Sequence, residues 1–344
     1  MKLKEKVCCT PFISVVIPVR NETAFIHRVL EAVLNQDYPN DCYEILVVDG
    51  QSDDGTQALV RDLINQRQEM GLQHPEISLF NNPKRIVPTA MNMGIKKSKG
   101  DIIARIDGHA LIHPSYLMKS IEVMQETGAD VVGGPIETIG SDSLSQTIAI
   151  AMSTPYGVGN SAFRTSRVSQ FTDTVPFGTF KKQVLIDAGL FDERLIRHQD
   201  YELNYRIRRN GGRVFLSSDI KSSYYARSNL KKLTKQFFQY GLFKGRVLHI
   251  HPASLKLRHL VPPVFVSCEL FGLVLSFFFT AAFNGFCLIL LLYSLFLAIA
   301  TIHVQLKHKL NFMLFPLIIA LVHHSWGFGV LAGLLTPLRA KNKS

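Results

Sequence analysis

The sequence predicts an α/β fold, a mostly parallel sheet with flanking helices, followed by a separate set of apolar helices. Three observations carry this. Short β-branched runs, "ISVVIPV" at 13–19 and "EILVVD" at 44–49, are separated by "AFIHRVLEAVLNQ", whose apolar residues recur at helical spacing. The same alternation continues to about residue 110. The positive mean hydropathy comes largely from the segment after Leu260, where Glu269 is the only formal charge as far as Ala300.

The first two runs and the helix between them make a βαβ unit, which favours a parallel sheet covered on both faces. A second helix is expected from Thr56, with Ala58, Leu59, Leu63 and Ile64 on one side. "ISLFNN" and "DIIARID" supply further strands, separated by "VPTAMNMGIKKSKG", a helix stopped at Gly100. Ligands of such a Rossmann-like half lie beyond the carboxyl ends of its strands. No GxGxxG follows the first strand, which argues against a standard dinucleotide site. The strand ends carry Pro18, Arg20, Asn21 and Glu22, then Asp49, then Asp107 and His109.

The loop "VVDGQSDDGT" gathers three aspartates in a chain of net charge +11. Asp53 and Asp54 stand just before an apolar-periodic helix, where acids serve as N-caps and complement its dipole. That leaves Asp49 as the ligand-facing residue. Carboxylates at the edge of a parallel sheet commonly hold a divalent cation that neutralises a phosphate. Asp107 and His109, two apart in "RIDGHA", either offer a carboxylate and an imidazole to one metal or serve a turn. Arg85 either reaches a diphosphate with a bidentate fork or lies at the solvated surface. "QDYELNYRIRRNGG" reads as a helix with Leu203 and Ile207 buried, ended by paired glycines. Asp200 sits in its first turn, where the dipole keeps a carboxylate ionised and ready to accept a hydroxyl proton; Glu202 ranks second for that task. "VPFGTFKK" makes a glycine turn before a helix beginning near Gln183.

Residues 230–251 mix lysine and arginine with aromatic and aliphatic residues, a pattern suited either to a bilayer surface or to an amphipathic helix on the preceding domain. Three apolar stretches follow, each near the roughly 20 residues a spanning helix needs, with turns at Asn284–Gly285 and "QLKHKL". The expected domains are 1–229, an interfacial segment 230–259, and two to three spans in 260–338. Lys256, Arg258, Lys307 and Lys309 place their loops on the cytoplasmic side. A third full span would put the basic tail "LRAKNKS" outside, against the charge rule, so the last stretch either crosses or re-enters. The amino-terminal "MKLKEKVCCTPF" lacks the apolar core of a secretory signal, so the first domain is expected in the cytoplasm. Cys8, Cys9, Cys42, Cys268 and Cys287 show no metal spacing and read as reduced. The basic excess flanks apolar spans instead of striping a soluble face, which argues against nucleic-acid binding.

"SVVIPVRNE", "YEILVVDGQSDDGT", "PTAMNMGIKKSKGDIIARIDGHA" and "HQDYELNYRIRRNG", in that order over roughly residues 12–250, resemble family 2 glycosyltransferases of the GT-A fold. Among these the chain looks most like membrane-bound bacterial enzymes of exopolysaccharide assembly, of the succinoglycan-biosynthesis type. The resemblance implies that Asp49 contacts the nucleotide base, with Pro18, Arg20 and Glu22 lining the same pocket. It implies that Asp107 is the first acid of a D-x-D metal motif. His109 stands where the last aspartate normally is, and imidazole suits Mn²⁺ better than Mg²⁺. Asp200 matches the general base of the E-D motif, with Gln199 in place of the glutamate. The Q-x-x-R-W signature of processive members would start at Gln236, where Gln239 and Tyr240 depart from it.

The function so implied is a metal-dependent inverting glycosyltransferase of the cytoplasmic (inner) membrane, multi-pass, with its catalytic domain facing the cytoplasm. It moves a sugar from a nucleoside diphosphate donor, a UDP-sugar foremost, to a membrane-embedded, polyprenyl-diphosphate-linked saccharide acceptor in exopolysaccharide or cell-surface glycan synthesis, using Mn²⁺ or Mg²⁺. A sugar nucleotidyltransferase would need a glycine- and lysine-rich triphosphate loop after the first strand, and "PVRNETAF" has none. A non-catalytic nucleotide-sugar binding module would be signalled by loss of Asp107 or Asp200, and both are present.

Overall fold

All seven residues of β1 (Ile13–Val19) and all seven of β2 (Tyr43–Asp49) are buried, which requires cover on both faces of the sheet they share. The computed structural model describes residues 10–225, 229–308 and 311–338. The expectation for Cys8 and Cys9 falls outside them; Cys42, Cys268 and Cys287 are free thiols. The chain divides into two units, one of residues 1–136, 167–193 and 199–222, the other of 137–166, 194–198 and 223–344.

The first unit holds an eight-stranded sheet. Its further strands are β3 (Glu76–Asn81), β4 (Ile102–Arg105), β5 (Val131–Gly133), β6 (Gln170–Phe171), β7 (Thr179–Lys181) and β8 (Val214–Leu216). The order is β3-β2-β1-β4-β7-β5-β8-β6. The first four strands are parallel neighbours, while β7 runs antiparallel to both β4 and β5. The sheet is therefore mixed, and its parallel half is the part whose alternation the sequence displays. Val19 pairs with Asp49 and Asp49 with Asn81, so the loops leaving β1, β2 and β3 emerge side by side.

The Ile26–Leu34 helix buries Ile26, Val29, Leu30 and Val33, the stripe its spacing predicts. The Thr56–Glu69 helix differs from expectation: Thr56 and Val60 are buried, while Ala58 and Leu59 are exposed. Its first turn is set by polar bonds to Thr56, which rotate the inward face away from the more apolar side. The Val87–Lys97 helix stops at Ser98, before Gly100. Leu203 and Ile207 of the Gln199–Arg209 helix are fully buried as expected.

The second unit is helical: Ser143–Met152, Pro155–Val158, Ala162–Thr165, Leu230–Ile250, Leu257–Ser276, Thr280–Gln305 and Leu314–Leu335. The last three are long and apolar enough to cross a membrane. The first apolar turn lies at Phe277–Phe279, and Asn284 and Gly285 sit inside the helix that follows. By Ser276 the preceding helix has already run 20 residues, about the 30 Å depth of a hydrocarbon core. The chain turns there, and the small helix cost of an asparagine and a glycine is absorbed in the opening turns of the next helix.

Candidate active site

Three neighbouring strand ends share one backbone feature. Asn21 after β1, Gln51 after β2 and Arg85 after β3 are non-glycine residues in the left-handed region, with φ of 56°, 57° and 59°. Such conformations cost about 1–3 kcal/mol each and cluster where a loop must present groups to a ligand. Gly50 sits among them: a Cβ there would lie 3.3 Å from the Arg20 Cβ and 3.4 Å from the Arg85 Cα. Arg20 and Arg85 thus approach one another over Gly50, both exposed, and Arg85 Nε donates to Gln51 Oε1 at 2.6 Å.

The acidic loop is built largely for itself. Asp49 is 1% exposed; its carboxylate accepts from the Ser52 amide at 2.9 Å and from the Ser52 hydroxyl and Gln57 Nε2, each at 2.5 Å. These bonds make Asp49 an organiser of its own loop, a part that the sequence did not signal. Asp53 accepts from Asn21 Nδ2 at 2.8 Å. Asp54 accepts from the Thr56 amide at 3.0 Å, the Thr56 hydroxyl at 2.6 Å and the Thr23 amide at 3.1 Å. Burial acts to raise the Asp54 pKa, but the bonds from Thr23 and Thr56 outweigh it and hold the carboxyl well below the usual range. Neither acid is the helix N-cap, which is Gly55 at φ 94°; they tie the loop after β1 to the loop after β2.

At the end of β4 lies a residue the sequence reading passed over. Arg105 is 3% exposed and spends its guanidinium on two acids. Its Nε and Nη2 donate to Asp107 Oδ1 and Oδ2 at 2.8 and 3.2 Å, and its Nη1 donates to Asp200 Oδ1. Asp107 and Asp200, 93 residues apart in sequence, are thereby held within the span of one planar group. Burial works against the Arg105 charge, but the two carboxylates more than compensate and raise its pKa. Asp200 is shifted upward, chiefly by burial, with Arg105 opposing and Asp107 adding to the rise. This corrects the expectation from the helix dipole alone: removal from water outweighs it. Glu202, the second candidate, is 1% exposed and bound through both oxygens to Arg206 at 2.7 Å, which gives it a structural place within its own helix. The signal for Arg105 was one charged residue inside the apolar run of "DIIARID".

His109 Nδ1 lies 2.8 Å from Glu22 Oε1, and a Cβ on the intervening Gly108 would lie 3.1 Å from the Glu22 Cγ. The loops after β1 and β4 therefore meet through Glu22, while Pro18 is buried within β1. Among the described residues no group of three or more His, Cys, Asp or Glu side chains is gathered to hold a metal. Magnesium and similar ions at phosphate sites take one or two protein ligands and complete their shell from phosphate and water. Asp107 and His109 fit that requirement, and a carboxylate on the far ring nitrogen is how metal-binding histidines are commonly oriented.

The pattern of family 2 glycosyl transferases matches residues 14–189, and the chain belongs to that family. A dolichyl N-acetyl-α-D-glucosaminyl phosphate 3-β-D-2,3-diacetamido-2,3-dideoxy-β-D-glucuronosyltransferase of Methanococcus voltae is 31% identical over 331 residues, covering 94% of this chain and 97% of that protein. The succinoglycan biosynthesis protein ExoA of Rhizobium meliloti is 28% identical over 250 residues, 72% of this chain and 73% of the relative. Among solved structures, the mannosyltransferase PcManGT from Pyrobaculum calidifontis, in complex with GDP-Man and Mn²⁺, superposes with a TM-score of 0.59 at 16% identity, over 92% of this chain and 86% of that one. The fold is GT-A, a mixed sheet with flanking helices, followed by three apolar helices.

Proposed function

We propose that the protein is an inverting glycosyltransferase that takes a nucleoside diphosphate sugar, a UDP-sugar foremost, and glycosylates a lipid-linked saccharide in the synthesis of an exopolysaccharide or another surface glycan. The observation that carries this is the Arg105 bridge, which brings Asp107 and Asp200 into one site. The lipid acceptor is supported by the Methanococcus relative, whose name specifies a dolichyl-linked sugar phosphate, and by the three apolar helices. The proposed organisation is a catalytic domain of 1–229 facing the cytoplasm, an interfacial segment of 230–259 and a membrane part of 260–338 in the inner membrane.

Asp200 accepts the proton of the acceptor hydroxyl as its oxygen forms a bond to the anomeric carbon. The bond from that carbon to the diphosphate breaks on the opposite face, and the diphosphate leaves with the electron pair. The upward shift of Asp200 makes it a stronger base than an ordinary aspartate while it is ionised. Arg105 fixes the direction of that carboxylate. Arg20 and Arg85 stand where a diphosphate can take charge-assisted hydrogen bonds, and Pro18, Glu22 and Asp49 shape the nucleotide pocket. A divalent cation, Mn²⁺ or Mg²⁺, held by Asp107 and His109 would act as a Lewis acid on the leaving diphosphate.

The test is transfer of radiolabel from a panel of UDP- and GDP-sugars into extractable lipid by membranes holding the wild type or Asp200→Asn, with Mn²⁺ or with EDTA. Label with the wild type alone, abolished by EDTA, is the expected result. Equal transfer by Asp200→Asn would remove the base assignment.

A further inference from the structure

Two helices of the second unit run parallel and in register for their whole length. Leu233 and Phe237 of the Leu230–Ile250 helix share a buried cluster with Phe315, Ile318, Ile319 and Val322 of the Leu314–Leu335 helix. Further along, Gly241 lies against Trp326 and Gly329, and Gly245 against Val330 and Gly333, so closely that an added Cβ would come within 2.2 and 2.5 Å of partner carbonyl oxygens. At the far end Arg246 Nε donates to Thr336 O at 3.1 Å, and His249 Nε2 lies 2.8 Å from Leu334 O. The start of one helix is level with the start of the other, and so are their ends. Whatever depth in a bilayer the second helix traverses, the first must traverse too.

The first helix is not built to cross. It carries Lys231, Lys232, Lys235, Lys244 and Arg246, with the first three exposed, and cations at the centre of a bilayer are strongly disfavoured. The second helix is also unlike its neighbours: 44% of its apolar window is buried, against 17% for Leu257–Ser276 and 11% for Thr280–Gln305. Its contacts with those two helices run from the open end of the hairpin they form to its middle, where Tyr293 Oη lies 3.1 Å from His323 Nδ1. Gly327 meets Pro262 and Val266, His324 meets Glu269, and Ala300 and Val304 join the cluster around Phe315. The hairpin turn at Phe277–Phe279 is highly exposed and apolar.

We propose that Leu314–Leu335 is not a third membrane crossing but lies with Leu230–Ile250 in the plane of the phospholipid headgroups. Lys231, Lys232 and Lys235 meet lipid phosphates there, and the exposed Leu317, Phe328 and Leu335 enter the acyl boundary. The chain crosses the membrane twice, and residue 338 ends on the same side as residue 229. The basic tail that follows, with Arg339, Lys341 and Lys343, then obeys the charge rule that a third crossing would break. The inference rests on the membrane reading but not on the catalytic one.

Single-cysteine variants decide it. One variant keeps Cys42 alone as a marker of the catalytic side; in two others all five native cysteines are replaced by serine and Phe278→Cys or Pro337→Cys is added at an exposed position. Sealed vesicles of both orientations are treated with a membrane-impermeant maleimide. Position 337 is expected to label from the same side as Cys42 and position 278 from the opposite side; labelling of 337 from the side of 278 overturns the proposal. The unsubstituted chain gives a second measurement, because Trp326 is its only tryptophan. In vesicles, lipids brominated near the headgroup are expected to quench it more than lipids brominated near the chain end. The reverse order places Trp326 at the bilayer centre, as a spanning helix requires. Neither readout uses transfer activity, so failure here and failure of the transferase reading are separately visible.

Discussion

A single guanidinium decides the chemistry of two acids. Arg105 opposes the burial that raises Asp200, so removing it should raise that pKa further. Arg105→Gln is expected to move the acid limb of the kcat profile to higher pH. Arg105→Lys should fall between it and the wild type, because one ammonium cannot reproduce the fork to both carboxylates. A pH–rate series on the three proteins checks this, and an unmoved acid limb would count against Asp200 as the titrating base. The same shift bears on stability. A carboxyl whose folded pKa lies above its unfolded value binds its proton more readily in the folded state. Its contribution is full below the unfolded pKa and lost as pH rises through the folded one. Above that folded pKa the ionised Asp200 is therefore a cost to the fold. Asp200→Asn is expected to lower transfer by about 10²- to 10⁴-fold while leaving Tm unchanged or raised. A thermal melt beside the transfer assay tests both halves.

At the scale of elements, the loops of the site depend on hydrogen bonds that cross between strand ends. Thr56, fully buried, donates to Asp54 and accepts from the Glu22 amide at 2.9 Å. Thr56→Val should cost about 1–3 kcal/mol and weaken donor binding, seen as a lower Tm and a raised donor KM with kcat less affected. In the helical unit, Gly329→Leu would drive a side chain against the Phe238 carbonyl. Overpacking of this kind costs about 1–3 kcal/mol or more, and a lower temperature of aggregation in detergent would report it. The parallel strands were legible because β-branched runs alternate with helical spacing. The antiparallel β7, three residues long, was not, since so short a segment shows no period. Asp107 and Asp200 could be nominated from sequence, but their meeting could not, because it depends on a buried arginine whose partners lie at the ends of separate elements. Asp49 could be nominated in the same way, but its bonds to Ser52 and Gln57 could not, because a carboxylate at a strand end looks the same in sequence whether or not it organises its own loop.

For the whole molecule, the proposed lipid-linked acceptor would confine the encounter to a surface. Membrane anchoring raises the effective concentration of a co-anchored substrate, by about 10²- to 10⁴-fold in comparable tethered systems. A water-soluble acceptor analogue with a short hydrocarbon tail is expected to show a kcat/KM lower by a factor of that order, mostly through KM. Equal efficiency with both acceptors would remove the anchoring argument. Three apolar stretches were plain in the sequence, but their roles were not, because hydropathy ranks each helix alone and says nothing of what lies beside it.

The Arg105 fork has one further consequence. A guanidinium is flat and its donors are fixed relative to one another, so it cannot turn toward Asp107 without altering its grip on Asp200. The acid proposed for the donor side and the acid proposed for the acceptor side are thus geared together, and neither moves as an independent part. Substitutions at 107 and 200 should be non-additive in the wild-type background and closer to additive once position 105 is methionine.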